Sequence, residues 1–194
     1  MLVAGKIGAI ILAAGFSNRF GSIKLCAELD NGATVFSQTL ARIRTAVPNY
    51  KVITRPELAD LLSPFETELN IFQDAEKGMG ATLAHAISLI ESWDGCLVCL
   101  ADMPFIAVET YKSLASQLGD NNIVIPVHNQ QPGNPVGFGK KYFPELLQLS
   151  GDSGGRPVVQ AHQADVLRLE TEDAAILYDI DTPDDLEKYQ LLSD

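Results

Sequence analysis

An α/β domain built on a mainly parallel sheet is the fold this sequence predicts, and three observations carry the prediction. Strand-length apolar runs alternate with helix-length amphipathic segments along the chain. The first apolar run, Ile7 to Ala13, empties into a loop punctuated by Gly15 and Gly21, as the strands of open α/β sheets deliver their ligand-binding loops. With 194 residues, 46% of them hydrophobic, the chain is long enough for one well-buried domain and short for two. Residues 1–194 therefore read as a single domain.

The elements follow in order. Strands are expected over Ile7–Ala13, Lys51–Thr54, Leu69–Gln73, Cys96–Ala101 and Ile123–Val127. Val35 to Ala46 places Val35, Phe36, Leu40 and Ile43 at helical spacing, and Thr82 to Trp93 does the same through Leu83, Ala86, Ile87 and Ile90. Both helices belong on sheet faces. The turn-forming residues 129–135 interrupt the alternation before a short strand at Val136–Phe138. Tyr142 to Leu149 reads as a helix stopped by Ser150-Gly151, Pro157 opens another, and Val166–Leu169 forms a strand. Either Asp181 or Thr182 caps a last helix, with Pro183 at its first position and Asp184, Asp185 and Glu187 near its positive end.

Composition narrows the function. The formal net charge is -11, so an anion site must be a local positive feature in a repulsive field, and nucleic acid is not an expected partner. The three cysteines do not make a disulfide framework. Cys96 and Cys99 have the spacing of a redox or metal pair, but in a strand residues i and i+3 point to opposite faces, so they read as buried thiols. A reducing, cytoplasmic setting is expected. The apolar stretch after Lys6 is too short and glycine-interrupted for a leader, and it continues into the cationic loop. No run approaches the ~20 apolar residues that span a bilayer.

The first loop carries the chemistry. Gly15 and Gly21 allow close backbone approach to a ligand, and consecutive N–H groups in such a loop form an anion-binding concavity. Arg19 and Lys24 add full positive charge, one as a fork and one as a point. Neither the P-loop nor the dinucleotide fingerprint fits this spacing. Asp102, in Asp102-Met103-Pro104, falls at the carboxyl end of a central strand, where a carboxylate can hold Mg²⁺ against triphosphate oxygens. It also reads as a helix N-cap with Pro104 just inside. Asp179 and Asp181 share one face of an extended segment and could jointly face a cation. Gly78, Met79 and Thr82 lie where a strand hands over to a helix, whose N-terminus could receive a phosphate or a base edge. His85, His128 and His162 are scattered, and none forms a nucleophile pair in sequence.

The segment Leu12-Ala13-Ala14-Gly15-Phe16-Ser17-Asn18-Arg19-Phe20-Gly21-Ser22-Ile23-Lys24 resembles LAAGxSxRxGxxK of the MobA-like nucleotidyltransferases, and in particular their molybdopterin cytidylyltransferase branch. Matching motifs run from Ile10 to Leu186. The resemblance implies a Rossmann-like, three-layer fold of glycosyltransferase-A type. It implies Leu12, Ala13, Ala14, Gly15 and Lys24 at the nucleotide, together with Gly78, Met79 and Thr82 in a loop similar to GMxxSL. It implies Arg19, Lys24 and Asp102 as catalytic residues, with Mg²⁺ on Asp102 of the DMP motif and on Asp181 of a segment similar to DIDTPEDL. Ala14 points by analogy to CTP. Asn134 and Pro135 stand at the family's GHP motif, and Gly151, Asp152 and Arg156 in a segment similar to LSGDxGAR, which implies contact with the acceptor. Asn134 for His and Ser153 for a frequent Lys depart from the pattern, as does the Leu25-Cys26-Ala27 that follows Lys24.

The reaction so implied moves CMP from CTP to the phosphate of molybdopterin or molybdenum cofactor and releases pyrophosphate. A client molybdoenzyme would be a further partner; no membrane is involved. The competing readings are a nucleotidyltransferase of the same fold using GTP, a sugar phosphate or a phosphoalcohol, and a non-catalytic carrier of the cofactor.

Overall fold

The computed structural model describes residues 6–17 and 19–193. Strands β1 (Ile7–Ala13), β2 (Tyr50–Thr54), β3 (Leu69–Ile71) and β4 (Gly95–Leu100) run parallel, with β1 between β2 and β4. β5 (Ile123–His128) is followed by the short β6 (Gln131–Pro132), and β7 (Val136–Gly139) inserts antiparallel between β4 and β5. β8 (Val166–Glu170) then adds parallel to β5, completing an eight-stranded, mostly parallel sheet.

Helix α1 spans Val35–Ala46 as its apolar spacing predicts, and it buries Val35, Phe36, Leu40 and Ile43. Each such burial is worth about 1.5–3 kcal/mol. Its start is fixed by a capping box, in which Thr34 Oγ1 accepts from the Ser37 N–H at 3.1 Å and Ser37 Oγ accepts from the Thr34 N–H at 2.9 Å. Two helices were not read from the sequence, α2 (Pro56–Leu62) and, further along, α4 (Val108–Gln117). Between them α3 spans Met79–Ser88, starting and ending earlier than Thr82–Trp93. The segment expected to be helical over Tyr142–Leu149 is a 3₁₀ turn, Lys140–Tyr142, running into the short α5 (Phe143–Leu146). Helix α6 (Arg156–Ala161) has Pro157 in its first turn, and α7 spans Pro183–Ser193. Thr182, not Asp181, closes the N-terminus of α7: its Oγ1 accepts from the Asp185 N–H at 3.1 Å, and Asp185 Oδ2 accepts from the Thr182 N–H at 2.8 Å.

Strand alternation divides the interior into two cores, one on each sheet face. Ala9, Ile11, Val52, Leu97 and Cys99 pack with α1, α2 and α4. Ile10, Leu12, Ile53, Cys96 and Val98 pack with α3, α5 and α6. Cys96 and Cys99 therefore lie on opposite faces as free thiols, both pushed up in pKa by burial. On the second face the missing side chain of Gly8 leaves the space that the Trp93 ring occupies. None of the helices among the described residues is long and apolar enough to cross a membrane.

One buried polar contact makes the fold pH-sensitive. Glu66 is 8% exposed, accepts from the Tyr50 hydroxyl at 2.6 Å and from the Glu68 N–H at 2.9 Å. Burial works to raise its pKa, but the Tyr50 hydroxyl, the Glu68 and Thr67 N–H groups and the Arg44 charge outweigh it and hold the carboxyl below its ordinary value. Because the folded pKa is the lower one, the stabilisation is present above the ordinary carboxylate range and is lost as pH falls through the depressed value. Glu66→Gln should cost about 1–2 kcal/mol near neutrality and flatten the acid limb of stability. Urea denaturation across about pH 3 to 7 reads both effects; an acid limb as steep as the unchanged protein's would contradict them.

Candidate active site

At the carboxyl ends of β1 and β4 lies a cavity of about 550 Å³. Its position follows from the sheet, because β1 and β4 are parallel neighbours and both empty into loops at the same edge. β1 supplies Leu12 and Ala13, and the loop beyond it supplies Ala14, Gly15 and Arg19. Lys24 comes from a 3₁₀ turn, Lys24–Cys26, whose Leu25 is buried. Asp102 comes from the turn after β4 and caps no helix, since the N-cap of α4 is Ala107. The segment carrying Asp179 and Asp181 is pinned to that turn by the Ile180 N–H, which donates to the Asp102 carbonyl at 3.1 Å. Ile180 is wholly buried, so its two neighbours both turn towards the cavity.

The charged groups at this end bond to one another. Lys24 Nζ lies 2.6 Å from Asp102 Oδ2 and 3.2 Å from Asp181 Oδ1. Arg19, 73% exposed, reaches Asp181 Oδ2 at 2.6 Å. Burial works to lower the pKa of Lys24, but Asp102 and then Asp181 outweigh it, and the amine is held above its ordinary value. Asp179 is pushed up, first by burial and then by the charges of Asp102 and Asp181. Asp102 Oδ1 is buried with no hydrogen-bond partner, which is costly for a carboxylate oxygen unless something else completes it.

Among the described residues, two cations and five carboxylates line the cavity: Arg19 and Lys24 against Glu76, Asp102, Asp152, Asp179 and Asp181. Such a surface repels a bare triphosphate. It accepts one that arrives with a divalent cation, and the orphaned Asp102 oxygen is a hard, anionic ligand of the kind Mg²⁺ takes. No group of three or more His, Cys, Asp or Glu residues able to hold a metal is found among the described residues; Mg²⁺ in phosphate sites is commonly held by one or two carboxylates plus substrate oxygens. The residues present fit the ion.

Gly78, Met79 and Thr82 form the facing wall. Gly78 has φ +101°, and a Cβ there would stand 2.5 Å from Asp152 Oδ1 and from the Gly151 carbonyl. The Gly80 N–H donates to that carbonyl at 2.6 Å, so the 150–154 segment is docked on the N-terminus of α3. Thr82 is buried, and its hydroxyl donates to the Gly78 carbonyl at 3.1 Å, which bolts the turn. Of the residues expected at the acceptor, Asp152 lines the cavity while Asn134, Pro135, Gly151 and Arg156 do not. Asn134 is tied elsewhere, its N–H donating to Ile176 at 2.9 Å. Phe16, Ala75 and Glu76 also line the cavity and were not singled out from the sequence. Phe16 sits at an unspecified position of the first loop's signature, while Ala75 and Glu76 reach the site from the separate turn before α3, which has no local signal of its own. The histidines stay outside: His85 stacks on Phe72, His128 bonds the Thr171 carbonyl, and His162 bonds Glu145.

A glycine-punctuated loop after β1, an Asp beyond the neighbouring strand and a mostly parallel sheet fit a nucleotidyltransferase, and the family match assigns that class. The chain matches the MobA-like NTP transferase domain over residues 9–166 and belongs to that family. It is 30% identical over 190 residues to the purine catabolism protein PucB of Bacillus subtilis (strain 168), covering 91% of this chain and 92% of that one. To the molybdenum cofactor cytidylyltransferase of Escherichia coli (strain K12) it is 25% identical over 183 residues, with 92% and 93% covered. The crystal structure of Rv0371c from Mycobacterium tuberculosis H37Rv superposes with a TM-score of 0.85 at 27% identity, covering 99% of this chain and 100% of that one.

Proposed function

We propose that the protein transfers CMP from CTP to the phosphate of molybdopterin or molybdenum cofactor, with release of pyrophosphate. The observation that carries the reading is the half-buried Lys24 ammonium held between Asp102 and Asp181 on the floor of the cavity. Similarity to a molybdenum cofactor cytidylyltransferase supports the choice of donor and acceptor.

Asp102 and Asp181 would hold Mg²⁺, which when bound neutralises triphosphate charge and stabilises the leaving pyrophosphate. The remaining work falls to the chain itself. Lys24 and Arg19 exchange their carboxylate partners for phosphate oxygens, a swap in which each cation keeps an anionic neighbour throughout. Backbone N–H groups of Ala13 to Gly15 and the N-terminus of α3 hold the nucleotide. The acceptor is a phosphate monoester whose second pKa is about 6, so at neutral pH it attacks without a general base. That agrees with a cavity that no histidine, and neither buried cysteine, lines. What the site must supply is alignment and charge neutralisation. Asp152 lines the cavity on the segment docked against α3, and it would meet the acceptor beside the nucleotide.

Pyrophosphate release with Mg²⁺ and molybdopterin, compared across CTP, GTP, ATP and UTP with a Lys24→Ala control, tests the reading. CTP-selective release that the control lacks is the expected result. Release with GTP alone would keep the reaction and change the donor; cofactor binding without any release would replace the enzyme by a carrier.

A further inference from the structure

We propose that Phe16 is the stacking surface for the base of the bound nucleotide and that Arg55 is the residue that positions it, an inference that rests on the nucleotide-binding function above. The polar floor fixes the orientation of the ligand. Arg19, Lys24, Asp102 and Asp181 are bonded to one another at one end of the cavity, so the triphosphate belongs there. The base must then extend towards the part lined by Phe16, Ala75 and Met79.

That part carries exposed apolar surface. Phe16 is 46% exposed and Met79 43%, one from the loop after β1 and the other from the first turn of α3, and both line the same cavity. An exposed aromatic ring on a cavity wall is a ready surface for a planar ligand.

The ring is also held. The Arg55 guanidinium lies 4.3 Å from its centroid, within cation–π range. Phe16 lines the cavity and Arg55 does not, so the guanidinium contacts the ring without itself entering the lining. Its position follows from the sheet: Thr54 is the register partner of Ala13, and its hydroxyl donates to the Ala13 carbonyl at 3.0 Å. The residue after β2 is thus locked beside the loop after β1. Among the described residues the guanidinium pairs with the exposed Glu57 at 3.1 Å and its Nε is buried without a partner, so hydrogen bonding among them does not account for where it sits. Contact with Phe16 is what the placement achieves.

Every base presents a π face, so stacking of this kind adds affinity without choosing a base. Phe16→Ala should raise the Kd of CTP and of GTP by a similar factor, about tenfold, with the change in KM and not in kcat. Arg55→Met should raise it about threefold, Arg55→Lys should restore most of that loss, and Arg55→Met should add nothing in the Phe16→Ala background. Inorganic tripolyphosphate, which has no base, should bind the Phe16→Ala protein as it binds the unchanged one. In Phe16→Trp, added nucleotide should quench the new emission above that of the buried Trp93.

Calorimetric titrations with Mg²⁺ present read these outcomes. Unaltered nucleotide binding by Phe16→Ala, or an equal loss with tripolyphosphate, would overturn the stacking role and leave the enzyme assignment standing. Failure of the unchanged protein to bind any nucleoside triphosphate would overturn both.

Discussion

Lys24→Ala should lose about 10²–10³-fold in pyrophosphate release and yet bind a divalent cation more tightly than the unchanged protein. In the free site the Lys24 ammonium is the internal counter-ion of Asp102 and Asp181. Removing it leaves those carboxylates and Asp179 facing one another, with only the exposed Arg19 to balance them. Like charges so close disfavour ionisation and favour whatever cation neutralises them. The variant should therefore melt lower in a chelator and recover part of the loss when Mg²⁺ or Mn²⁺ is added, a larger shift than the unchanged protein shows. Thermal melts with and without the ion, beside turnover, separate the two functions of the residue. Unaltered turnover would remove Lys24 from the triphosphate clamp, and an unaltered response to the ion would remove it from its role as counter-ion.

Gly78→Ala should cost about 2–4 kcal/mol of stability and detach the acceptor side of the site. Two independent reasons act at this residue. Its φ of +101° lies in a region that side chains avoid, and a Cβ would meet Asp152 Oδ1 and the Gly151 backbone at 2.5 Å. Relief requires the 150–154 segment to move off α3, breaking the contact from the Gly80 N–H to the Gly151 carbonyl. Denaturant titration reads the stability, and the KM for the acceptor should rise more than that for the nucleotide. Gly15→Ala is the internal contrast, since a Cβ there meets nothing within 4 Å, and its fold should keep its stability. Equal stability losses in the two variants would contradict the steric account.

Local pattern carried much of the architecture and part of the site. β1 and α1 were read to the residue, the one because its apolar run is of strand length and ends in a glycine loop, the other because its four-residue apolar stripe has helical spacing. α2 and α4 were missed. In α4 the buried face is made by Thr110, Tyr111 and Leu114, too mixed to register as an apolar stripe, while α2 is only seven residues long. The early start of α3 at Met79 depends on a tertiary event, the docking of Gly80 against Gly151. Lys24, Asp102 and Asp181 were legible because each ends or follows a segment with its own local signal. Their mutual bonding was not, because Lys24 meets Asp102 and Asp181 from far along the chain, Asp181 lying 157 positions away. Glu76 illustrates the limit: a surface residue acquires a neighbour across a crevice only once the sheet has brought two loop ends together.

β4 offers a use that its packing makes available. Its two thiols, three residues apart, face opposite helical layers, and both are inaccessible in the closed protein. A small alkylating reagent can reach Cys96 only when the layer of α3, α5 and α6 lifts, and Cys99 only when that of α1, α2 and α4 does. Mass analysis of briefly alkylated protein would then report which side of the sheet comes loose first, with no engineered cysteine needed.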